Sequence, residues 1–265
     1  MRFFPLREKS VNIRDKLPAV AVLCLCILLW AVISASGLVP SYMLPSPRDV
    51  ILAFIHDFPT LMQHAAVSLQ EAVYGLLAGV LLAFGISALM DRFALLEKAF
   101  MPLLVVTQTI PTIAIAPLLV LWLGFGMAPK ITLVVITTFF PIAIGLLDGY
   151  KGVDPDAINL MRSMQASRLQ IFMHVKFPAA LPHFFSGLRV SASYAVVGAV
   201  ISEWLGGFEG LGVYMTRVKK AYAFDKMFAV ILLIVIVSLL LMAVVDLLKQ
   251  ITMPWTRLQK ERKSS

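Results

Sequence analysis

Charge is scarce in this sequence of 265 residues: 14% is Asp, Glu, Lys or Arg, against 60% hydrophobic residues and a mean hydropathy of +0.88. A soluble domain could not cover its surface with so little charge. Cysteine is nearly absent. Cys24 and Cys26 both fall inside the first apolar run, where they behave as small hydrophobes and imply neither a disulfide framework nor a metal site. The four histidines, His56, His64, His174 and His183, show no paired ligand spacing such as H-E-x-x-H, which removes the usual zinc-hydrolase pattern. There is no glycine-rich phosphate loop with a following Lys and Ser/Thr, so ATP is not hydrolysed here by that route. A G-x-S-x-G nucleophile turn is missing as well. No cofactor and no catalytic residue are expected.

What is present is a series of long apolar runs. A hydrocarbon core of about 30 Å needs about 20 apolar residues per helix, and six runs meet that length, giving an all-α, polytopic membrane protein. The expected spans are 17–39, 65–90, 99–123, 130–148, 183–205 and 226–248, with a short amphipathic helix near 50–58 after the turn prolines Pro40, Pro45 and Pro47. The basic start, with Arg2, Arg7, Lys9, Arg14 and Lys16, resembles a signal peptide, but the run after it is too long, and it reads as an uncleaved first helix. Gly75, Gly79 and Gly85 are expected to let the second span approach its neighbours closely.

The net charge of +8 is scattered over short loops and tails, which points to membrane topology rather than to nucleic acid. With the N-terminus inside, sixteen Lys and Arg fall on the inner side and six on the outer side, namely Arg48, Lys130, Arg217, Lys219, Lys220 and Lys226, with Arg189 left within a span. Both termini are therefore expected in the cytoplasm. The expected parts are a cytoplasmic tail 1–16, a membrane domain 17–250 carrying a cytoplasmic loop 150–182, and a basic cytoplasmic tail 251–265.

Polar residues at bilayer depth are costly and tend to face a bundle interior or a water-filled path. Thr107, Gln108, Thr109 and Thr112 flank Pro111 in the third run. Two readings stand: a discontinuous helix that offers polar backbone to a solute, or a kink satisfied by threonine hydroxyls. In the fifth run, Tyr194 and Glu203 are candidates for the same path; Glu203 beside Trp204 reads equally as an interfacial anchor. Arg189 either meets an anionic solute or snorkels to the interface.

The polar island 153–182, VDPDAINLMRSMQASRLQIFMHVKFPAALP, carries two helix starts. Asp154 caps the first, with Pro155 at its first position and Asp156 at the positive end of its dipole. Ser167 and Gln170 form a capping-box pair for the second, which places a break near Gln165 and Ala166. Ala157, Leu160, Met161 and Met164 recur on one face at helical spacing, opposite Asn159, Arg162, Ser163 and Gln165, so this amphipathic helix needs a partner surface.

The order of a helix, Ala166-Ser167, an apolar second helix and the ending Phe177-Pro178-Ala179-Ala180-Leu181-Pro182 resembles the EAA loop of bacterial ABC importer permeases. The likeness continues in Leu44-Pro45-Ser46-Pro47, in Ile110-Pro111-Thr112-Ile113-Ala114-Ile115-Ala116-Pro117, and in Ser202-Glu203-Trp204-Leu205-Gly206. The family's usual glycine falls on Gln165, and its glutamate and two alanines on Asn159, Leu160 and Met161.

The resemblance implies the type I permease fold in the bacterial inner membrane and no ATPase site of its own. It also implies an extracytoplasmic substrate-binding protein, a second permease copy as a homodimer, and a cytoplasmic ATP-binding subunit that receives Asn159 to Gln165. Within the family the run 153–164, with Phe185-Ser186-Gly187-Leu188 and 197–201, is most similar to permeases for thiamine-precursor pyrimidines. Permeases for riboflavin, alkanesulfonates, taurine and nitrate share the same plan. A passive channel and an intramembrane enzyme are the rival classes; the spans show no acid–base or nucleophile constellation for the second.

Overall fold

The computed structural model describes residues 13–40 and 42–254, with side chains from Leu17 onward; most of the two expected tails lies outside the described residues. Among the described residues there is no strand. The helices are α1 (Ile13–Ala35), α2 (Pro47–His56), α3 (Phe58–Arg92), α4 (Ala94–Thr109), α5 (Thr112–Leu123), α6 (Met127–Lys151), α7 (Pro155–Ser163), α8 (Arg168–Ile171), α9 (Phe177–Gly206), α10 (Leu211–Lys220) and α11 (Phe224–Thr252), with a π-helical turn, Phe172–Lys176, joining α8 to α9. Five helices are long and apolar enough to cross a membrane, and the count rises to six if the bent pair α4–α5 is taken as one span.

The chain divides into two compact units. In the first, which holds α1, α2 and the segment Val218–Ala229, the Trp30 ring stacks on Phe228 at 5.7 Å and its indole N–H donates to the Pro45 carbonyl at 3.1 Å. Helix α2 starts three residues earlier than expected because Ser46 and Asp49 form a reciprocal capping box around Pro47. Asp57, just past its end, receives Lys226 at 2.8 Å.

The second unit, Pro59–Arg217 with Val230–Ser265, is built on α3, α6 and α9. On α3 the buried residues Leu61, Ala65, Ser68, Ala72, Gly75, Gly79 and Ala83 recur every three or four positions, the stripe that one helix face presents to a partner. Small residues bring the backbones together. A Cβ on Gly75 would meet Val134, one on Gly79 would meet the Thr138 hydroxyl, and one on Gly149 would meet the Ala180 backbone at 2.5 Å. Gly85 differs from expectation, since it faces open space. Phe84, Phe184 and Phe185 fill the volume around Ala143 and Ala192, and the Ser191 hydroxyl donates to the Thr138 carbonyl at 2.8 Å across α6 and α9.

The third expected span is a corner. The helices α4 and α5 meet at 101° across Ile110 and Pro111. Pro111 lacks an N–H and holds Ile110 extended, with φ −81° and ψ 123°, so the helix cannot pass through. At 1.5 Å per residue the arms are about 24 and 18 Å long, each shorter than the hydrocarbon core. Helices α6, α9 and α11 exceed their expected ranges by a few residues and α3 begins seven residues before residue 65, whereas α1 ends at Ala35, four residues short of the expected 39.

Candidate functional site

The α7–α8 hairpin forms as its capping residues dictate. Asp154 accepts the Asp156 N–H at 2.9 Å. Ser167 and Gln170 cap each other, at 3.3 Å for the Gln170 N–H on the Ser167 hydroxyl and 2.7 Å for the Ser167 N–H on the Gln170 carbonyl oxygen. Between them Gln165 takes φ 59°, the left-handed backbone that glycine adopts without cost. The base of the hairpin is tied down: Lys151 donates to Glu97 at 2.5 Å, Lys176 to Asp91 at 2.6 Å, and the Tyr150 ring packs on Phe172 at 5.2 Å.

The tip is open. Leu160 is 63% exposed, Met164 70% and Leu169 70%, while Asn159, Arg162, Ser163 and Gln165 are also exposed. Met161 departs from the expected single face. It is half-buried with Ala157, so the expected apolar positions split into these two, turned inward, and a pair, Leu160 and Met164, that no described residue covers.

At the α4–α5 corner, Thr107 and Thr109 each donate to the carbonyl three residues back, at 2.8 Å. Those bonds are the threonine satisfaction expected of a kink. Gln108 is exposed beside them, and Thr112 is half-buried at the start of α5. Tyr194, on α9, is exposed as well. Arg189 has a partner that sequence reasoning missed, Asp246 of α11 at 3.5 Å.

Glu203 lies apart from these groups. It is 1% exposed, enclosed by α3, α9 and the loop before α10. The Ser68 hydroxyl donates to its Oε1 at 2.6 Å and the Gly212 N–H to its Oε2 at 2.6 Å. The Leu211 N–H donates to the Ser68 oxygen at 2.8 Å, and the Gly210 N–H to His64 Nδ1 at 3.0 Å. One turn further along α3, Glu71 accepts from Lys130 at 2.5 Å, with both side chains buried and Glu71 Oε2 left without a hydrogen-bond partner. Lys130 therefore corrects the charge count: it is an internal ion-pair partner and not an outer-loop cation. Glu71 was overlooked, although an acidic residue inside an apolar run is itself a signal. Among the described residues no cluster of His, Cys, Asp or Glu could hold a metal ion.

Residues 75–258 match the family described as the binding-protein-dependent transport system inner membrane component. The chain belongs to this family. It is 39% identical to a probable ABC transporter permease protein of Haemophilus influenzae, over 83% of this chain and 90% of that one. It is 36% identical to the formylaminopyrimidine transport permease protein of Halalkalibacterium halodurans, over 86% and 91%. Relatives at 29–32% identity are named for aliphatic sulfonate, riboflavin and taurine transport. The crystal structure of an amino acid ABC transporter superposes with a TM-score of 0.62 at 16% identity, covering 75% of this chain and 97% of that one, which shows the permease fold. The chain is thus a multi-pass membrane permease of an ABC importer. Such permeases are transport subunits that work with ATP-binding and substrate-binding components.

Proposed function

We propose that two copies of this permease form a path for an uncharged or weakly charged aromatic heterocycle of the thiamine-precursor pyrimidine type. The solute is delivered by a receptor outside, and import is driven by an ATP-binding subunit docked on α7–α8, with both termini in the cytoplasm. The observation that carries the docking is the exposure of Leu160, Met164 and Leu169 on a hairpin whose base is tied by ion pairs to Glu97 and Asp91. Docking fits an apolar tip of this kind, because a large exposed apolar patch on a structured element marks an interaction site. Residues 159–165 supply the contact, and Met161 supports it from behind. Thr107, Gln108, Thr112 and Tyr194 are the candidates for solute contact. Glu203 acts from within the fold.

The solute class is supported by the 36% identical formylaminopyrimidine permease and by a corner that offers an amide and hydroxyls but no cation. Met164→Asp tests the docking. It would bury an unpaired carboxylate at the interface, a cost of several kcal/mol, so the variant should insert normally, lose its ATP-binding subunit on purification and stop importing. Arg168→Asp should retain both. A Met164→Asp variant that keeps partner and transport would overturn the docking assignment. For orientation, an impermeant amine reagent should reach Lys219 but not Lys151 in intact cells; labelling of Lys151 would reverse it.

A further inference from the structure

The three N–H groups at residues 210–212, where α10 begins, point away from the helix that would satisfy them. No residue of α10 or its preceding turn caps them. Each is instead taken by a side chain from a membrane-spanning helix: His64 and Ser68 of α3, and Glu203 of α9. All three of these side chains are buried.

The loop is shaped for that role. Gly210 has φ +122°, and a Cβ there would lie within the Glu203 carboxyl group; a Cβ on Gly212 would meet both the Val200 carbonyl and Glu203. Only glycine lets the backbone descend onto the carboxylate. Ser68 links the two sources, since its oxygen accepts from Leu211 while its proton goes to Glu203. The cap is complete only while α3 and α9 keep their present spacing.

We propose that Glu203 is a positioning residue for transport: with Ser68 and His64 it caps the start of α10, so that the segment 207–217 moves as part of α3 and α9 rather than as a loose connection. This inference rests on reading the chain as an importer permease. Its consequence lies at the end of α9 opposite the α7–α8 hairpin. There α10 buries Leu211, Val213 and Tyr214 and exposes Arg217. A receptor meeting that exposed face would meet a surface whose attitude is set by two spans at once.

The chemistry predicts an uncommon ordering of variants. Glu203→Ala removes both acceptors and strands the Gly212 N–H. Glu203→Gln keeps the cap with one polarity reversed: its carbonyl oxygen accepts from Gly212, its amide donates to the Ser68 oxygen, and the Ser68 proton turns to the His64 carbonyl, already 3.3 Å away. A role through charge would be lost in both variants. A role through capping survives in Gln.

The test uses the full chain, purified with its ATP-binding subunit in lipid nanodiscs, and reads amide hydrogen exchange in the peptide covering 207–214. Glu203→Ala should speed exchange there by about 10- to 100-fold, the loss expected for a hydrogen bond to a charged group. Peptides of α6 should be unchanged, and Glu203→Gln should restore protection. In cells, uptake of formylaminopyrimidine should fall in maximal rate more than in half-saturation for Glu203→Ala and stay within about threefold of the parent for Glu203→Gln. Unaltered exchange in Glu203→Ala, or equal defects in Ala and Gln, would overturn the cap. If the parent chain takes up no formylaminopyrimidine, the solute assignment fails on its own, and the exchange comparison still decides the cap.

Discussion

Lys130→Met is the perturbation that the buried ion pair makes sharpest. In the parent, the ammonium sits 2.5 Å from Glu71 with side-chain exposures of 7% and 1%. Methionine matches the length of the stem and removes the charge, so Glu71 is left buried with no cation, close to a second carboxyl group, that of Glu203. Breaking a buried pair from one side costs about 3–5 kcal/mol, because the remaining charge keeps its desolvation penalty without compensation. Glu71→Gln should be milder, about 1–3 kcal/mol, since its amide oxygen still accepts from Lys130. The double variant Glu71→Leu with Lys130→Met removes both charges and should recover most of the loss. By the usual scaling for chains of this size, the single Lys130 change lowers Tm by about 6–20 °C. Thermal unfolding of the purified chain in one detergent, followed by tryptophan fluorescence and size exclusion, reads all three variants. A Lys130→Met protein no less stable than Glu71→Gln, or a double variant as unstable as the single, would refute the reasoning.

Gly187→Ala should cost about 1–3 kcal/mol, because the new methyl would overlap the Pro141 carbonyl and α6 and α9 cannot separate without opening the core; a melting curve equal to the parent's would show that they can. Gln165→Gly should leave subunit assembly intact and raise stability by up to about 1 kcal/mol by relieving the positive φ at the hairpin bend, measured by the same melt. Gln108→Leu should cut solute uptake while membrane insertion and copurification of the ATP-binding subunit stay normal; unchanged uptake would return Gln108 to a purely structural role.

The parts legible in the sequence are those governed by neighbours along the chain. The caps at Asp154 and at Ser167 with Gln170 are read from residues two or three apart, and both formed as expected. The position that the family reserves for glycine, occupied here by Gln165, proved to have a glycine's backbone angle. Five of the six expected spans followed from apolar run length as single helices, and the sixth is the bent α4–α5 pair. What escaped depends on distance. Glu71 and Lys130 are 59 residues apart and Ser68 and Glu203 are 135 apart, so no local pattern announces their pairing. The inward turn of Met161 beside the exposed Leu160 is likewise set by what the helix rests on, which periodicity cannot distinguish. The proline break near residue 110 was visible, but its 101° angle was not, since proline forbids continuation without dictating a direction.

The π-helical turn at Phe172–Lys176 is an insertion that widens the helix without interrupting it, so Arg168 to Gly206 is one continuous rod of 39 residues. At 1.5 Å per residue it is about 58 Å long, nearly twice the hydrocarbon thickness. A rod of that kind is a lever with its fulcrum in the bilayer. Rocking it by about 10° about its midpoint would swing each end by about 5 Å at that length. The hairpin bend at one end and Glu203 with its capped loop at the other would then move in opposite directions.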